Sequence, residues 1–385
     1  MEKIRVGLIG HRFMGKAHTH AYTDIPIYFD PKVEVIKDTL CSNEADVVEY
    51  AKRWGYRNCS LDWREVVANK DIDLVDIVAP STIHAQVAIE AAKQGKHVLC
   101  EKPLALNLDD ARAMVNAVEQ AGVVNMIGFN YRRVPAIVLA KQLIEEGKIG
   151  EIYHFRGYYM QDWLVDPKFP LVWRCVKKDA GYGGHGDMGA HIIDLARYLV
   201  GDIDDVCCLQ RTFIKQRPLP MFMSGLSATG GSDKMGDVDV DDASQMMLRF
   251  SGRETMGYVE VSRFHTGHKN KNMIEINGSR GSIIFDLERM NELEYFDRGA
   301  NARVQGFTNI QVSEAVHPFI ENYWPSGHII GWADTQVNQM YDLICAIRDG
   351  IQVHADFRDG LKCQLVLDAA QRSAETLEWT KVAED

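Results

Sequence analysis

Three short segments of the chain carry side chains that could do chemistry. Residues 97–103 form an apolar run that ends on Glu101 and Lys102 before a proline. Further along, Asp187 and His191 stand four positions apart, which places a carboxylate and an imidazole on one face of a predicted helix. Histidine suits proton transfer near neutral pH because its unperturbed pKa is ~6.5. Taken alone, such a pair is more often a surface or core contact than a catalytic pair.

The third segment is a glycine-rich turn, Gly10-His-Arg12-Phe13-Met14-Gly15, between a strand pattern and a helical pattern. In this context the amides at the helix N-terminus, together with the helix dipole, form a site for a pyrophosphate. Arg12 stands where a second glycine normally lets the backbone approach the phosphates. Either its guanidinium swings out and contacts phosphate, or the turn is an ordinary strand-to-helix connection.

These segments need a scaffold, and the first 130 residues alternate β-rich runs with helical patterns. The alternation predicts an α/β unit with a parallel, doubly wound sheet. The carboxyl ends of its strands would bring the glycine turn and the 79–84 loop to one edge. The expected strands are Ile4–Ile9, Val33–Cys41, Leu74–Ala79, His97–Cys100 and Val123–Phe129, and the expected helices are Glu44–Trp54, Ile83–Lys93 and Leu108–Gln120.

The pattern changes after residue 150, where strands follow one another across turns. This predicts an α+β domain with a large open, mostly antiparallel sheet, interrupted by a helix from Asp187 to Leu199. We expect Ser224–Asp237 to be a mobile surface loop because it is rich in Gly, Ser and Asp. A chain of 385 residues is too long for one compact core, so residues 1–130 and 131–385 are predicted to form two domains.

Composition narrows the function classes. A net charge of −11 argues against nucleic acid binding, which needs a basic face. No apolar run approaches the ~18 residues that a membrane span requires, and no signal peptide is visible at the N-terminus. The eight cysteines lack C-x-x-C or other zinc spacing, so we expect no metal site and a reducing, cytoplasmic location.

In this order and at these distances, the three segments resemble the Gfo/Idh/MocA family of nicotinamide-dependent sugar dehydrogenases, above all its levoglucosan dehydrogenase-like members. The resemblance implies an N-terminal Rossmann domain that binds NAD or NADP and a C-terminal domain for substrate binding and oligomerisation. Three features depart from the family pattern: Arg12, the lack of an acid at the tip of the second strand, and His185, which could alter the sugar that fits. The resemblance covers nearly the full chain and includes Leu61-Asp-Trp63-Arg, Phe129-Asn-Tyr131-Arg-Arg, Gln161-Asp-Trp163, Val240-Asp-Asp242 and Trp324-Pro325.

The family oxidises a secondary hydroxyl, which is the C3 hydroxyl in the levoglucosan dehydrogenase-like members, and passes the hydride to a nicotinamide. Matched to its motifs, His191 is the proton acceptor and Lys102 is the electrostatic partner between nicotinamide and substrate. Asp187 would bind the neighbouring hydroxyl or orient the histidine. Lys102 as the base stays an open alternative. Glu101 could hold the lysine, contact the nicotinamide or form a simple ion pair.

The choice between NAD and NADP stays open. An acid at the end of the second strand would bind a free ribose 2′-hydroxyl, but Asp38 comes three residues too early. Ser42 and Asn43 could bind either a hydroxyl or a 2′-phosphate. The family resemblance favours NAD, whereas Arg12 weakly favours NADP. The other candidate cofactor contacts are Gly10, Phe13, Met14, Gly15, Pro80, Ser81, His84, Glu101, Lys102 and Asn130, with a helix cap or a packed core residue as the alternative for His84.

The substrate candidates combine flat aromatic rings with amide and guanidinium groups, which is typical of a pyranose site. Strand alternation predicts that Tyr159, Gln161 and Trp163 share one face. Either tryptophan could instead be a core residue, and His328 is a further candidate. The predicted substrate contacts are Tyr131, Tyr159, Gln161, Trp163, Trp173, Arg174, Asp187 and His191.

Two other functions are alternatives. Redox-assisted cleavage of a glycoside with tightly bound NAD would use the same residues. A non-catalytic nucleotide or sugar sensor would share the fold, but it need not keep the proton-transfer residues Lys102, Asp187 and His191. The expected partners are a sugar or glycoside and further copies of the chain, as a homodimer or homotetramer. A bare apolar face on the second sheet would be an aggregation hazard unless it were covered.

Overall fold

The computed structural model of the protein describes residues 2–224 and 227–384, which form two compact units. The first unit runs to Asn130 and also contains Ala333–Gln364. The second contains Tyr131–Met223, Ala228–Trp332 and the chain from Leu365 onwards. The change at residue 130 agrees with the sequence, but residues 333–364 were expected in the second domain. The local sequence of residues 333–364 does not indicate which distant segments it packs against. Within the described residues, every helix is too short or too polar to cross a membrane.

The first unit is built on a six-stranded sheet with the strand order β3-β2-β1-β4-β5-β6. Each neighbouring pair is parallel, so the predicted doubly wound sheet is confirmed. Its elements are β1 (Glu2–Ile9), β2 (Val33–Cys41), β3 (Asn58–Ser60), β4 (Leu74–Ile77), β5 (His97–Cys100), β6 (Asn125–Ile127), α1 (Phe13–Tyr28), α2 (Val47–Trp54), α3 (Trp63–Ala68), α4 (His84–Lys93) and α5 (Leu108–Ala121). The sequence missed β3 and α3, which are too short to show a period.

The second unit carries a nine-stranded sheet with the order β16-β15-β14-β13-β7-β12-β11-β8-β17. Only the β7–β12 pair is parallel among the pairs described, so the mostly antiparallel sheet is confirmed. Its strands are β7 (Ile152–Met160), β8 (Ile203–Arg211), β11 (Ala243–Phe250), β12 (Met256–Ser262), β13 (Lys271–Gly278), β14 (Gly281–Asp286), β15 (Glu292–Asp297), β16 (Phe307–Gln311) and β17 (Thr380–Lys381). Strands β9 (Gln216–Ser224) and β10 (Ser227–Asp237) form a separate two-stranded sheet.

The helices of the second half complete the fold. They are α6 (Pro135–Glu145), α7 (Lys177–Ala180), α8 (Gly184–Asp187), α9 (Gly189–Leu199), α10 (Trp332–Asp349) and α11 (Phe357–Thr376). Helix α9 lies against one face of the large sheet, where a Cβ on Gly157 of β7 would come within 2.4 Å of Ile192. The residues on this face, such as Phe155 and Val259, are fully buried.

Two local predictions for the second unit are wrong. The mobile loop expected over Ser224–Asp237 is mostly strand β10, which pairs with β9, and residues 225 and 226 lie outside the described residues. Pairing with a partner strand here overrides a composition with low β propensity. The helix expected from Asp187 to Leu199 is divided into α8 and α9 at Met188. Glycines at 184, 186 and 189 weaken a continuous helix at this point.

The other face of the large sheet is mixed rather than bare and apolar as predicted. Met247 and Met256 are about half or more exposed, at 49% and 68%. In the row that starts at Met247, the next strands present Tyr258 and then an ion pair in which Arg156 stands 3.4 Å from Glu275. Successive side chains along a strand point to opposite faces of the sheet. The polar residues of this face therefore alternate in sequence with the buried residues of the other face.

Candidate active site

The glycine turn closes tightly against the neighbouring strand of the first unit. Gly10 has a φ of +112°, and a Cβ there would lie 2.9 Å from the backbone nitrogen of Ala79. A Cβ on Gly15 would lie 2.3 Å from the Gly10 carbonyl oxygen, so both positions require glycine. Arg12 is the N-cap of α1 and makes no side-chain cap. The first turn of α1, which includes Phe13 and Met14, therefore keeps the geometry of an anion site.

Arg12 is turned towards acids that the sequence analysis overlooked. Its guanidinium pairs with Glu44 and lies 3.0 Å from an oxygen of Asp46. Both acids follow β2 in the same loop as Ser42 and Asn43, where the Ser42 hydroxyl accepts the Glu44 backbone N–H. The loop after β2 thus carries two acids, three and five residues beyond the strand end at Cys41. A search for acids that ran past the end of the strand would have found them.

Asp38 and His11 are held by hydrogen bonds to other side chains. Asp38 is buried and accepts hydrogen bonds from Arg5 and Asn58, so it does not reach the strand tip. The His11 ring lies 3.0 Å from Asp46. Burial, and then the charge of Arg12, lowers the pKa of His11. His11, Glu44 and Asp46 have a spacing that would suit a cation, but the Arg12 guanidinium already pairs with both carboxylates.

His84 joins the loops that follow β4 and β5. Its buried ring has one nitrogen 3.0 Å from the Ala79 carbonyl and the other 3.0 Å from the Pro103 carbonyl. Burial lowers the pKa of this histidine. The alternative of a packed core histidine therefore agrees with the structure. Pro80 is exposed and caps the short turn that begins at the buried Ser81.

Glu101 is folded back over its own main chain. One oxygen accepts the Lys102 backbone N–H at 3.1 Å, and the other lies 3.3 Å from His18. A Cβ on Gly128 would come within 2.5 Å of this carboxylate, so the glycine makes room for it. Glu101 thus bonds to the backbone of Lys102, and its expected roles towards the lysine side chain and the nicotinamide stay predictions. Asn130, also buried, donates its amide N–H to the Thr335 hydroxyl at 2.8 Å.

In the second unit, four predicted substrate residues lie in one hydrogen-bonded chain. The hydroxyls of Tyr131 and Tyr159 are 2.9 Å apart, and Tyr159 donates to Asn270 at 2.9 Å. Gln161 donates to the same Asn270 oxygen at 2.8 Å and accepts from the Trp163 indole at 3.0 Å. Strand β7 ends at Met160, so Gln161 and Trp163 lie just beyond it. Asn270, which the sequence analysis missed, is the residue that joins them.

The donors in this chain have a fixed order. Burial, followed by the neighbouring Tyr131 hydroxyl and the Asp187 carboxylate, raises the pKa of Tyr159 well above its usual value. Tyr159 therefore stays protonated and donates its proton to Asn270, which leaves Tyr131 as the donor to Tyr159. A chain with all its donors assigned holds the aromatic rings in one arrangement.

The predicted proton-transfer pair lies beside this chain. The His191 ring is 4.6 Å from the Tyr131 ring and 5.9 Å from the Tyr159 ring, between ring centres. Asp187 ends α8 and lies 3.3 Å from the Arg174 guanidinium, which stacks on Trp173 at 4.2 Å. All eight predicted substrate residues thus lie in the second unit. Both tryptophans are partly buried, and Trp163 also packs against a cluster of core residues.

Two fully buried arginines hold the loops that carry these side chains. Arg263 donates to the Arg174 carbonyl at 3.0 Å and to the Asp241 carbonyl at 2.7 Å. Arg217 donates to the Leu164 carbonyl at 2.5 Å, just after Trp163. Sequence reasoning missed both arginines because their partners are main-chain carbonyls of distant residues, which leave no side-chain pattern.

Two further histidines were considered for the substrate site, His185 and His328. Each of them bonds to a main-chain carbonyl. His185 is fully buried and donates to the Leu367 carbonyl at 2.8 Å, and its effect on which sugar fits stays a prediction. The backbone N–H groups of Gly183 and His185 both donate to Asp241, which fixes the start of α8. His328 lies in an exposed turn and bonds to the Pro325 carbonyl.

Comparison with known proteins gives matches over both units. Residues 4–129 match the domain described as oxidoreductase family, NAD-binding Rossmann fold, and residues 137–284 match the GFO/IDH/MocA C-terminal domain. Levoglucosan dehydrogenase of Pseudarthrobacter phenanthrenivorans is 42% identical over 387 residues, with 99% of each chain covered. Inositol 2-dehydrogenase of Rhizobium meliloti is 26% identical, with 96% of each chain covered. A solved levoglucosan dehydrogenase complex with NADH and levoglucosan has a TM-score of 0.94 at 40% identity, over 100% of both chains.

Proposed function

Because the chain belongs to the Gfo/Idh/MocA family of NAD-dependent oxidoreductases, we propose that it oxidises the C3 hydroxyl of a pyranose, an anhydro-sugar or a glycoside. The observation that carries this proposal is the chain of rings and amides around Tyr159 and Asn270, beside the His191 ring. Such a surface offers aromatic faces to the C–H groups of a sugar ring and amides to its hydroxyls. The similarity to levoglucosan dehydrogenase supports an anhydro-sugar in particular.

In the proposed reaction, the imidazole of His191 accepts the proton of the substrate hydroxyl as the C–H bond breaks. Asp187 holds the neighbouring hydroxyl and orients the substrate, with Arg174 keeping the carboxylate in place at 3.3 Å. Lys102 supplies positive charge to the developing alkoxide. When bound, the nicotinamide supplies the acceptor for the hydride.

The cofactor fits the first unit on two observations. The turn at Gly10 and Gly15 has no room for a Cβ, and the first turn of α1 has no side-chain cap. We expect the pyrophosphate at this turn and the adenosine ribose at the loop after β2. Glu44 and Asp46 favour NAD, because they add negative charge where NADP carries its 2′-phosphate, and they keep Arg12 paired.

The direct test is an assay of NADH formation with levoglucosan, glucose, inositol and an aryl glucoside as substrates. We expect turnover with at least one pyranoside and a 3-keto product by mass spectrometry and NMR. Release of the aglycone without added NAD would instead establish redox-assisted cleavage. Binding of NADH with no turnover of any of the four compounds would contradict the proposal.

We also propose that the chain forms dimers or tetramers through the mixed face of its large sheet. Met, Tyr and Arg, which this face presents, are enriched in protein interfaces. Light scattering at micromolar concentration should give at least twice the mass of one chain, and Met247→Glu combined with Met256→Glu should lower it. A monomeric mass for the wild-type protein would contradict this proposal.

A further inference from the structure

A buried charged chain lies beneath the Glu101-Lys102 segment of the first unit. His18, in the second turn of α1, is fully buried, and its ring nitrogens face two carboxylates. The Nδ1 atom lies 2.9 Å from Asp76 of β4, and the Nε2 atom lies 3.3 Å from Glu101 at the end of β5. Tyr22, one turn further along α1, donates its hydroxyl to Asp76 at 2.9 Å.

The geometry specifies the protonation state of His18. A neutral imidazole has one N–H and could donate to only one of the two carboxylates. An imidazolium donates to both, and each of these hydrogen bonds is charge-assisted. Although burial by itself lowers the pKa of His18, Asp76 and Glu101 together raise it to about 10. His18 is therefore a permanent buried cation at neutral pH.

The chain reaches the predicted catalytic lysine through Glu101. The Glu101 oxygen that does not face His18 accepts the Lys102 backbone N–H at 3.1 Å. The same carboxylate is packed against Gly128, where even a Cβ would collide with it. With one oxygen held by His18 and the other by the main chain, Glu101 has little freedom to rotate. The main chain of Lys102 is then fixed relative to β4 and α1.

We propose that His18, supported by Asp76, is a positioning residue that sets the place of Lys102 through Glu101. His18 does not touch the substrate in this proposal. The imidazolium is carried by α1 and bonds to Asp76 of β4. Its second hydrogen bond therefore holds the Glu101 carboxylate in one orientation relative to these two elements. This proposal can be tested by sugar turnover and by amide hydrogen exchange at Lys102. The turnover measurement rests on the proposed function, whereas the exchange measurement does not.

The test compares His18→Gln with Asp76→Asn and with the control His97→Asn. His97 is a partly buried histidine of the same unit. It accepts the Val124 backbone N–H and takes no part in the hydrogen bonds among His18, Asp76 and Glu101. Exchange of the Lys102 amide, followed by hydrogen–deuterium exchange and mass spectrometry, should become roughly tenfold faster in His18→Gln. The value of kcat should fall roughly 10- to 100-fold, as for a small misplacement of a reacting group. NADH affinity should change little, and His97→Asn should match the wild type in all three measurements.

The double variant His18→Gln with Glu101→Gln keeps the proposal falsifiable if His18→Gln unfolds, because it removes one of the two buried carboxylates that the loss of His18 leaves uncompensated. If His18 acts through Glu101, the double variant should lose no more turnover than Glu101→Gln alone. Additive losses, or unchanged Lys102 exchange in both His18→Gln and Asp76→Asn, would overturn the proposal. A wild-type enzyme without sugar turnover would refute the proposed function and leave the exchange result to decide this inference.

Discussion

The candidate cofactor residues of the first unit stand where a parallel sheet puts them, whereas the candidate substrate residues of the second are held by side chains from distant segments. Gly10 and His84 follow β1 and β4, and their neighbours are the main-chain atoms of adjacent loops. Tyr159, by contrast, bonds to Asn270, which is 111 residues away in sequence. A cofactor site can thus follow from topology, while a substrate site depends on particular pairs.

The two regions also bury charge differently. In the first unit, His18 lies between two carboxylates and is compensated by them. In the second, Arg217 and Arg263 are fully buried and donate mainly to main-chain carbonyls, with Asp242 at 3.6 Å from Arg263. Burial raises the pKa of Asp242, although Arg263 opposes the shift. The first arrangement fixes one carboxylate, and the second fixes whole loops.

The largest effects should come from the residues that we propose carry the chemistry in each unit. His191→Ala and Lys102→Ala should each lower kcat by roughly 10²- to 10⁴-fold, the usual range for an acid–base group or an electrostatic donor. NADH affinity should change little, because the glycine turn holds the pyrophosphate. Steady-state assays and NADH titration measure both quantities. A His191→Ala enzyme that keeps most of its turnover would make Lys102 the base.

The buried cation of the first unit should make stability depend on pH. The pKa of His18 is raised from 6.5 to about 10, so its contribution is complete below pH 6.5 and is lost as the pH rises through 10. Removing one partner of a buried ion pair costs about 3–5 kcal/mol, which we expect for His18→Gln at pH 7. Denaturant unfolding between pH 6 and 10 should give a smaller difference between the proteins at high pH. A difference that grows with pH would contradict the assignment of an imidazolium.

In the second unit, the corresponding test is Asn270→Ala. Tyr159 and Gln161 would lose their shared acceptor, and each unsatisfied buried group costs about 1–3 kcal/mol. We expect a higher KM for the sugar, with NADH affinity unchanged, and partial recovery in Asn270→Asp, which keeps an acceptor oxygen. An unchanged KM in Asn270→Ala would mean that the chain does not shape the substrate surface.

The smallest effect concerns the choice of cofactor. Glu44→Gln combined with Asp46→Asn should improve the use of NADP relative to NAD by roughly tenfold, or about 1.4 kcal/mol, because two negative charges are removed near Arg12. The ratio of kcat/KM for the two cofactors measures it. Arg12→Gly in the same background should abolish the gain. An unchanged ratio would mean that the loop after β2 does not determine the choice between NAD and NADP.

The sequence predicted the first unit in most of its detail because periodicity and glycine spacing are local signals. The strands at Val33–Cys41 and His97–Cys100 have the expected bounds. What failed there was a search that stopped at the strand tip and passed over Glu44 and Asp46. His18 was missed because a buried histidine in a helix gives no sign of its partners on other strands.

In the second unit, the sequence predicted which candidate residues lie together but not the distant residues that bond to them. Tyr159, Gln161 and Trp163 lie together as expected, but Asn270 and Arg263 could be found only from the register of β7, β12 and β13. The helix predicted from Asp187 to Leu199 begins only at Gly189, because Asp187 belongs to α8 and Met188 separates the two helices. Pair interactions over long sequence distances decide these features.

Levoglucosan deuterated at C3 distinguishes the proposed hydride transfer, from C3 of the sugar to NAD, from oxidation at any other carbon. Incubated with the enzyme and NAD, this substrate should yield NADH that carries the deuterium, together with the 3-keto product. His191→Ala should give the same labelled product at a rate reduced by roughly 10²- to 10⁴-fold. NADH without deuterium would place the oxidation at another carbon, and no NADH formation from levoglucosan or an aryl glucoside would contradict the account.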